Sequence, residues 1–231
     1  MAVPVRLVAF DLDDTLYPEA DFLAGGFDAA GRLLDELVDR PVGAAAVFLD
    51  VLAMEGPFRV FDSGLARLGI ARDDALVARL VAAYRAHTPR LEPYAGAWDL
   101  LAGLRDGGLR TAVVSDGPPD VQRRKVAALG LAGRVDIVVL VRDVDGACFP
   151  KPDPGAFRWL ERATGLEGPA IVYVGDNPAR DFPPAEACGW QTVRVRFPGA
   201  FHAADPDPYP GRTEADTMDH LRDILRGLCT S

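Results

Sequence analysis

Apolar and polar positions alternate along this chain on two scales. Five short apolar runs stand out: VRLVAF (5–10), LRTAVVS (109–115), VDIVVLV (135–141), AIVYVG (170–175) and QTVRVR (191–196). They are Val/Ile-rich and nearly unbroken, which predicts parallel strands buried on both faces. Helical spacing fills the gaps at about 95–106, 118–129, 154–165 and 181–189, and again at about 216–228 after the fifth run. Strand alternating with helix predicts an α/β fold with a doubly wound, Rossmann-like parallel sheet. Sites in such sheets gather beyond the carboxyl ends of the strands.

The first connection does not fit that rhythm. A parallel crossover needs roughly a dozen residues, yet here it runs from Phe10 to Leu109. Leu23, Phe27, Ala30, Leu34 and Leu37 recur at spacings of four and three, one face of a helix. Further helical segments cover about 44–54, 58–68 and 73–87, before Pro89, Pro93 and Gly96 punctuate the return. Residues 17–92 therefore read as a small all-helical cap inserted into a catalytic core of 1–16 and 93–231, hinged near Tyr17–Pro18 and Arg90–Pro93. The stretch FPGAFHAADPDPYPGRTE (197–214) reads as a Pro-rich surface loop.

Composition narrows the function classes. The chain has 231 residues, 49% of them apolar, and a formal charge of −9. That balance argues against a nucleic-acid or anionic-membrane partner, and no run approaches the length of a membrane span. The start lacks the features of a secretory signal. Three scattered cysteines, Cys148, Cys188 and Cys229, suit a reduced, cytoplasmic protein. Of 25 basic residues only Lys125 and Lys151 are lysines. In so arginine-rich a chain, a lysine in FPKPDP suggests that an ammonium is required there; Lys125 reads as a surface residue.

Polar groups collect at the predicted strand ends. FDLDDTLYP puts Asp11, Asp13 and Asp14 within four residues, and carboxylates so close repel unless a cation, a substrate or solvent intervenes. The second strand ends in Ser115, Asp116 and Gly117. Lys151 precedes the next helix, and the fourth strand runs into VGDNPARD, with Asp176 and Asp181. Asp14 reads as a turn residue, and Asp181 doubles as a helix N-cap.

In this order the motifs D-x-D-x-T, S, K and G-D-x4-D resemble the haloacid dehalogenase-like (HAD) hydrolase superfamily, in its phosphatase branch with a helical cap after the first motif. GPPDVQRRKVAALGL and KPDPGAF also look like family members. The resemblance implies a phosphomonoesterase acting on a small phosphorylated metabolite, of sugar phosphate or nucleotide type, through an aspartyl phosphate on Asp11. It implies Mg²⁺, held by Asp11, the backbone carbonyl of Asp13 and Asp176, with Asp181 orienting a metal-bound water. Asp13 would serve as general acid and base, and Ser115 and Lys151 would hold phosphoryl oxygens. Thr15, Asp116 and Gly117 would complete the substrate-binding loops, Thr15 through its hydroxyl. Dehalogenases of the superfamily typically lack the second aspartate, since a halide leaves without a proton. A phosphomutase, a haloacid dehalogenase and a catalytically idle binding module are the alternatives. Asp116 stands where many members have asparagine and adds negative charge near the phosphate. The approach to the lysine, residues 142–150, is longer than usual. Tyr84, Arg85, His87 and Arg90 are the cap residues considered for specificity; oligomeric state is not readable.

Overall fold

The computed structural model describes residues 3–209 and 211–229. The chain divides into two compact units, one formed by Met1–Glu19 with Leu91–Ser231 and the other by Ala20–Arg90.

The larger unit is built on a six-stranded, all-parallel sheet in the order β3-β2-β1-β4-β5-β6. The strands are β1 (Leu7–Phe10), β2 (Arg110–Ser115), β3 (Ile137–Leu140), β4 (Ile171–Gly175), β5 (Gln191–Val195) and β6 (Thr213–Ala215). The first five coincide with the five apolar runs. The sixth lies at the end of the segment read as a surface loop. It is a short edge strand, TEA, without an apolar run to announce it.

The nearly unbroken apolar runs have the burial they require. On one face Leu7, Ala9, Ala112, Val114, Ile171 and Tyr173 pack with Phe157 and Leu160 of helix α7 (Gly155–Thr164) and with Phe182 and Ala185 of α8 (Phe182–Ala187). Val8, Phe10, Val113, Val172 and Val174, which point the other way, are also fully buried. Helices α5 (Ala97–Asp106), α6 (Pro119–Ala128) and α9 (Met218–Cys229) complete this unit. Pro183 and Pro184 sit in the first turn of α8, where their missing N–H groups cost nothing.

The strand order reverses at β1, with β2 on one side and β4 on the other. Phe10 is in register with Val113 and with Val174, so the loops leaving β1 and β4 emerge side by side. That is the switch point at which open α/β sheets place their sites.

The smaller unit contains α1 (Glu19–Leu37, all but its first residue), α2 (Ala44–Glu55), α3 (Val60–Arg67) and α4 (Asp74–Ala86). Asp73 caps α4, accepting from the Leu76 N–H at 3.3 Å. The core is aromatic. Phe27, Phe48 and Phe61 meet at ring-centroid distances of 5.0–6.0 Å, and Tyr84 packs 5.1 Å from Phe27. Tyr84 is thus a packing residue of this unit rather than a free specificity group. Among the described residues no helix is long and apolar enough to cross a membrane.

Candidate active site

Asp11 follows β1 directly, and its N–H donates to the Val174 carbonyl at 2.8 Å, which carries the β1–β4 pairing one residue past the strand. The chain then turns through Asp14, which adopts a left-handed conformation with φ 51°. The buried Asp14 carboxylate accepts from the Glu19 and Phe201 N–H groups, each at 2.8 Å. It is a turn residue, as expected, and also the anchor of a loop almost 190 positions away in sequence.

Asp11, Asp13, Asp116, Lys151, Asp176 and Asp181 line one cavity of about 130 Å³. Glu19, Asn177, Arg180 and His202, which the sequence does not single out, complete its wall. Thr15, Ser115 and Gly117 do not line it. Thr15 is fully buried, and its hydroxyl makes no hydrogen bond within the described residues. The Ser115 hydroxyl, also buried, accepts from the Gln122 amide. At Gly117 a Cβ would meet the Gln122 side chain at 3.0 Å, so this position keeps the path of Gln122 clear.

One half of the cavity holds Asp11, Asp176 and Asp181, whose carboxylate oxygens lie within 4.8 Å of one another. Lys151 is buried among them. Its ammonium donates to Asp11 Oδ1, to Asp181 Oδ1 at 2.7 Å and to the Tyr173 hydroxyl at 2.6 Å. Burial alone would depress the Lys151 pKa, but Asp11 and Asp181 outweigh it and hold the ammonium charged. Burial pushes Asp11 up to about 7, against the opposing pull of Lys151 and with added repulsion from Asp181 and Asp13. Burial, then the charges of Asp181 and Asp11, push Asp176 up to about 10. Were all three carboxylates ionised, they would face one ammonium with two negative charges in excess; the folded chain relieves that excess by keeping protons on Asp11 and Asp176 to higher pH.

Asp181 occupies the N-cap position of α8, as expected, but its side chain makes no capping hydrogen bond. Its carboxylate folds back over the loop, where Oδ2 accepts from the Asn177 N–H at 2.9 Å. That fold-over requires glycine at 175, since a Cβ there would lie 2.7 Å from Asp181 Oδ2.

The other half is arranged differently. Asp13 Oδ1 accepts from the Tyr17 hydroxyl and from Lys125 Nζ at 2.6 Å, and Oδ2 accepts from Gln122 Nε2 at 3.0 Å. Burial would raise the Asp13 pKa, but the Lys125 charge and these three donors bring it below the usual carboxylate range. Lys125, read from the sequence as a surface residue, is 4% exposed and is one of two lysines in the site.

Asp116 also departs from expectation. Its carboxylate accepts from Arg142 Nε at 2.6 Å, from the Lys151 backbone N–H at 3.1 Å and from Arg180 Nη2. Its charge is spent on two guanidinium groups, so it adds no uncompensated negative charge to the phosphate's surroundings. The extra length of 142–150 is absorbed by a tight hairpin: Val144 and Ala147 exchange both backbone hydrogen bonds at 2.9 Å across Asp145–Gly146. Asp145 and Gly146 have φ of 50° and 81°, the combination such a turn demands. Trp159 Nε1 donates to Asp145 Oδ2 at 2.7 Å and pins the hairpin to α7. Lys151 consequently reaches Asp11.

The 197–212 segment is equally ordered by charge. Arg194, fully buried on β5, donates to the His202 and Asp205 carbonyls at 2.8 and 2.9 Å. This brings His202 Nε2 to 2.8 Å from Asn177 Nδ2 at the cavity wall, with Asp205 Oδ2 2.7 Å from the other ring nitrogen. A histidine reaching the site from so distant a loop has no local sequence signal.

Fold, motif order and geometry converge on one class, a hydrolase on a doubly wound sheet with an acidic, lysine-bearing switch point. The chain belongs to the haloacid dehalogenase-like hydrolases, whose family model matches residues 5–189. It is 29% identical to a glyceraldehyde 3-phosphate phosphatase of Methanopyrus kandleri, over 97% of this chain and 98% of that one. It is also 31% identical to an (S)-2-haloacid dehalogenase of Xanthobacter autotrophicus, over 57% of this chain and 48% of that one. Among solved structures, the magnesium-bound HAD hydrolase YfnB of Bacillus subtilis superimposes with a TM-score of 0.67 at 18% identity, covering 96% of this chain and 99% of that one.

Proposed function

We propose that this protein is a Mg²⁺-dependent phosphomonoesterase that acts through an aspartyl phosphate on Asp11. The observation that carries this reading is the charge imbalance of the first half-site. When ionised, Asp11, Asp176 and Asp181 against Lys151 leave two surplus negative charges, the amount one divalent cation would neutralise in place of the protons the free site keeps. The donors are hard oxygens, the set Mg²⁺ takes. Asp11, Asp176 and the Asp13 backbone carbonyl would hold the ion, with Asp181 beside them. A bound ion would neutralise the surplus charge and let an anionic phosphate approach a carboxylate.

The remaining work falls to the chain's own groups. An Asp11 oxygen bonds to phosphorus as the ester P–O bond breaks, and the electron pair departs on the leaving oxygen. Asp13, protonated from solvent as the anionic phosphate arrives beside it and raises its proton affinity, supplies that oxygen with a proton. In the second half a water oxygen bonds to phosphorus, the P–O bond to Asp11 breaks, and the water's proton passes to Asp13. Lys151 compensates charge on Asp11 and the phosphoryl oxygens throughout. A halide leaves without a proton, so an Asp13 held at the cavity by three donors favours phosphate over halide chemistry.

Full-length similarity to a glyceraldehyde 3-phosphate phosphatase makes a three-carbon phosphoester the first metabolite to assay. The unit Ala20–Arg90 leaves the chain after the Asp11 loop and returns before β2, and we assign selection of the rest of the substrate to it as a cap. Three free cysteines support a reducing, cytoplasmic setting.

Turnover of p-nitrophenyl phosphate and of 2-chloropropionate, each with Mg²⁺ and with EDTA, tests the reading. Phosphate release that requires Mg²⁺, without chloride release, is the expected result. Full activity in EDTA, or chloride release alone, would overturn it.

A further inference from the structure

We propose that Lys125 is the positioning residue for Asp13, fixing the carboxylate that transfers protons to and from the leaving oxygen and the attacking water. The inference rests on the acid–base reading of Asp13 given above and extends it to a residue on a different element.

Helix α6 sorts its cations sharply. Arg123 is exposed and pairs with Asp143, and the half-buried Arg124 pairs with Asp120. Lys125 turns inward with Val121 and Gln122, the three buried residues of the helix. Gln122 and Lys125 are three positions apart, so their side chains leave the same face. They divide the Asp13 carboxylate between them, Lys125 taking Oδ1 and Gln122 taking Oδ2. Tyr17 adds a second donor to Oδ1. With both oxygens engaged, the carboxylate cannot rotate about its terminal bond without breaking hydrogen bonds to charged or buried partners.

Burial makes the pairing mutual. The Lys125 side chain is 5% exposed and that of Asp13 18%, and a buried ammonium without a counter-charge is strongly disfavoured. A four-carbon stem ending in a point charge suits a single carboxylate oxygen. A guanidinium would bring five donors in a rigid fork. That explains a lysine here in a chain that otherwise uses arginine. The Gln122 amide also reaches Ser115, so the loops after β1 and β2 are joined through α6.

The test compares poor and good leaving groups on the Mg²⁺-loaded enzyme. Lys125→Met should lower kcat on an alkyl phosphate by at least roughly tenfold, a share of the 10²–10⁴-fold that acid–base catalysis supplies. On p-nitrophenyl phosphate, whose leaving group needs no proton, kcat should change by less than about twofold, by the same reasoning. KM and the Mg²⁺-induced rise in melting temperature should be unchanged, and Lys125→Arg should recover part of the alkyl-phosphate rate. The double variant Lys125→Met/Asp13→Asn should be no slower than Asp13→Asn alone, because a positioning role has nothing to act on once the Asp13 carboxylate is gone. That double variant also removes the unpaired charge, so it remains informative if Lys125→Met fails to fold. Equal losses on both substrates, or additive losses in the double variant, would mean that Lys125 is a packing residue and overturn the proposal. Asp13→Asn measured alone separates the two layers: if it too is insensitive to the leaving group, the acid–base reading fails and the Lys125 assignment with it.

Discussion

The two halves of the cavity solve the same problem in opposite ways. Each buries carboxylate beside one of the chain's two lysines. Around Asp13 the protein supplies enough donors, and the carboxyl sits below its ordinary pKa. Around Asp11 and Asp176 it does not, and the carboxyls rise to about 7 and about 10. A half-site that the chain balances by itself is built for orientation. A half-site whose carboxyls keep protons for want of counter-charge is, on the reading proposed above, one that exchanges them for a cation.

The largest effects should follow from breaking the chemistry of each half. Asp11→Asn should leave no measurable turnover on any phosphoester, because an amide cannot form the acyl phosphate; steady-state assays of the folded variant check this. Asp13→Asn should reduce alkyl-phosphate turnover by roughly 10²–10⁴-fold while sparing activated aryl esters. Equal losses on the two substrate types would erase the functional distinction between the halves.

Stability offers a sharper contrast. Without metal, Asp176→Asn should raise the melting temperature near neutral pH, since the folded chain no longer has to keep a proton on residue 176 that the unfolded chain gives up. Asp13→Asn should lower stability by about 2–3 kcal/mol, because it removes the carboxylate that pairs with the buried Lys125 ammonium. Thermal melts in EDTA compare the two, and shifts of the same sign would contradict the proposed division.

The pH dependence has a definite sign. Asp11 ordinarily titrates near 3.8 but is raised to about 7 in the folded chain, and Asp176 to about 10. Above the ordinary value the unfolded chain has lost protons that the folded chain keeps, so metal-free stability falls as pH rises through these windows. Mg²⁺ replaces those protons, so its stabilisation should grow from pH 5 to pH 8. At a hundredfold excess over Kd it should reach about 2.7 kcal/mol. A Mg²⁺ shift independent of pH would place the ion elsewhere.

The smallest effect belongs to Arg142→Gln. Arg180 and the Lys151 N–H still hold Asp116, and a half-exposed ion pair is worth about 0.2–1 kcal/mol, so kcat should fall less than about fivefold.

What could be read from the sequence follows from how local each signal is. β1, β2 and β4 are apolar runs fully buried in the sheet, and the aspartates of the site stand where those runs stop. β6 is three residues at an edge, too short to carry a pattern. Lys125 was hidden by its neighbours: VQRRK reads as a solvated helix face, and Arg123 is indeed exposed with Arg124 half-buried beside it. Two signals nevertheless pointed inward, the rarity of lysine and the three-residue spacing from Gln122. Arg180 and His202 depend on contacts with Asp116 and Asn177 that no local pattern encodes. Asp116 shows the converse: expected among the substrate-binding residues, it lines the cavity, and its carboxylate accepts from Arg142, Arg180 and the Lys151 backbone N–H.

The central position of β1 has a consequence for the timing of synthesis. Its partner β2 and the α6 side chains that hold Asp13 are complete once residue 125 has been made, whereas Asp11 gains Asp176 and Asp181 only some fifty residues later. At translation rates of about 5–20 residues per second, that interval is roughly 3–11 s. Asp14 waits longer still, for the Phe201 N–H. The growing polypeptide therefore carries Asp11 in an unfinished pocket until β4 and the loop beyond it exist, and the assembled cavity arrives late in synthesis.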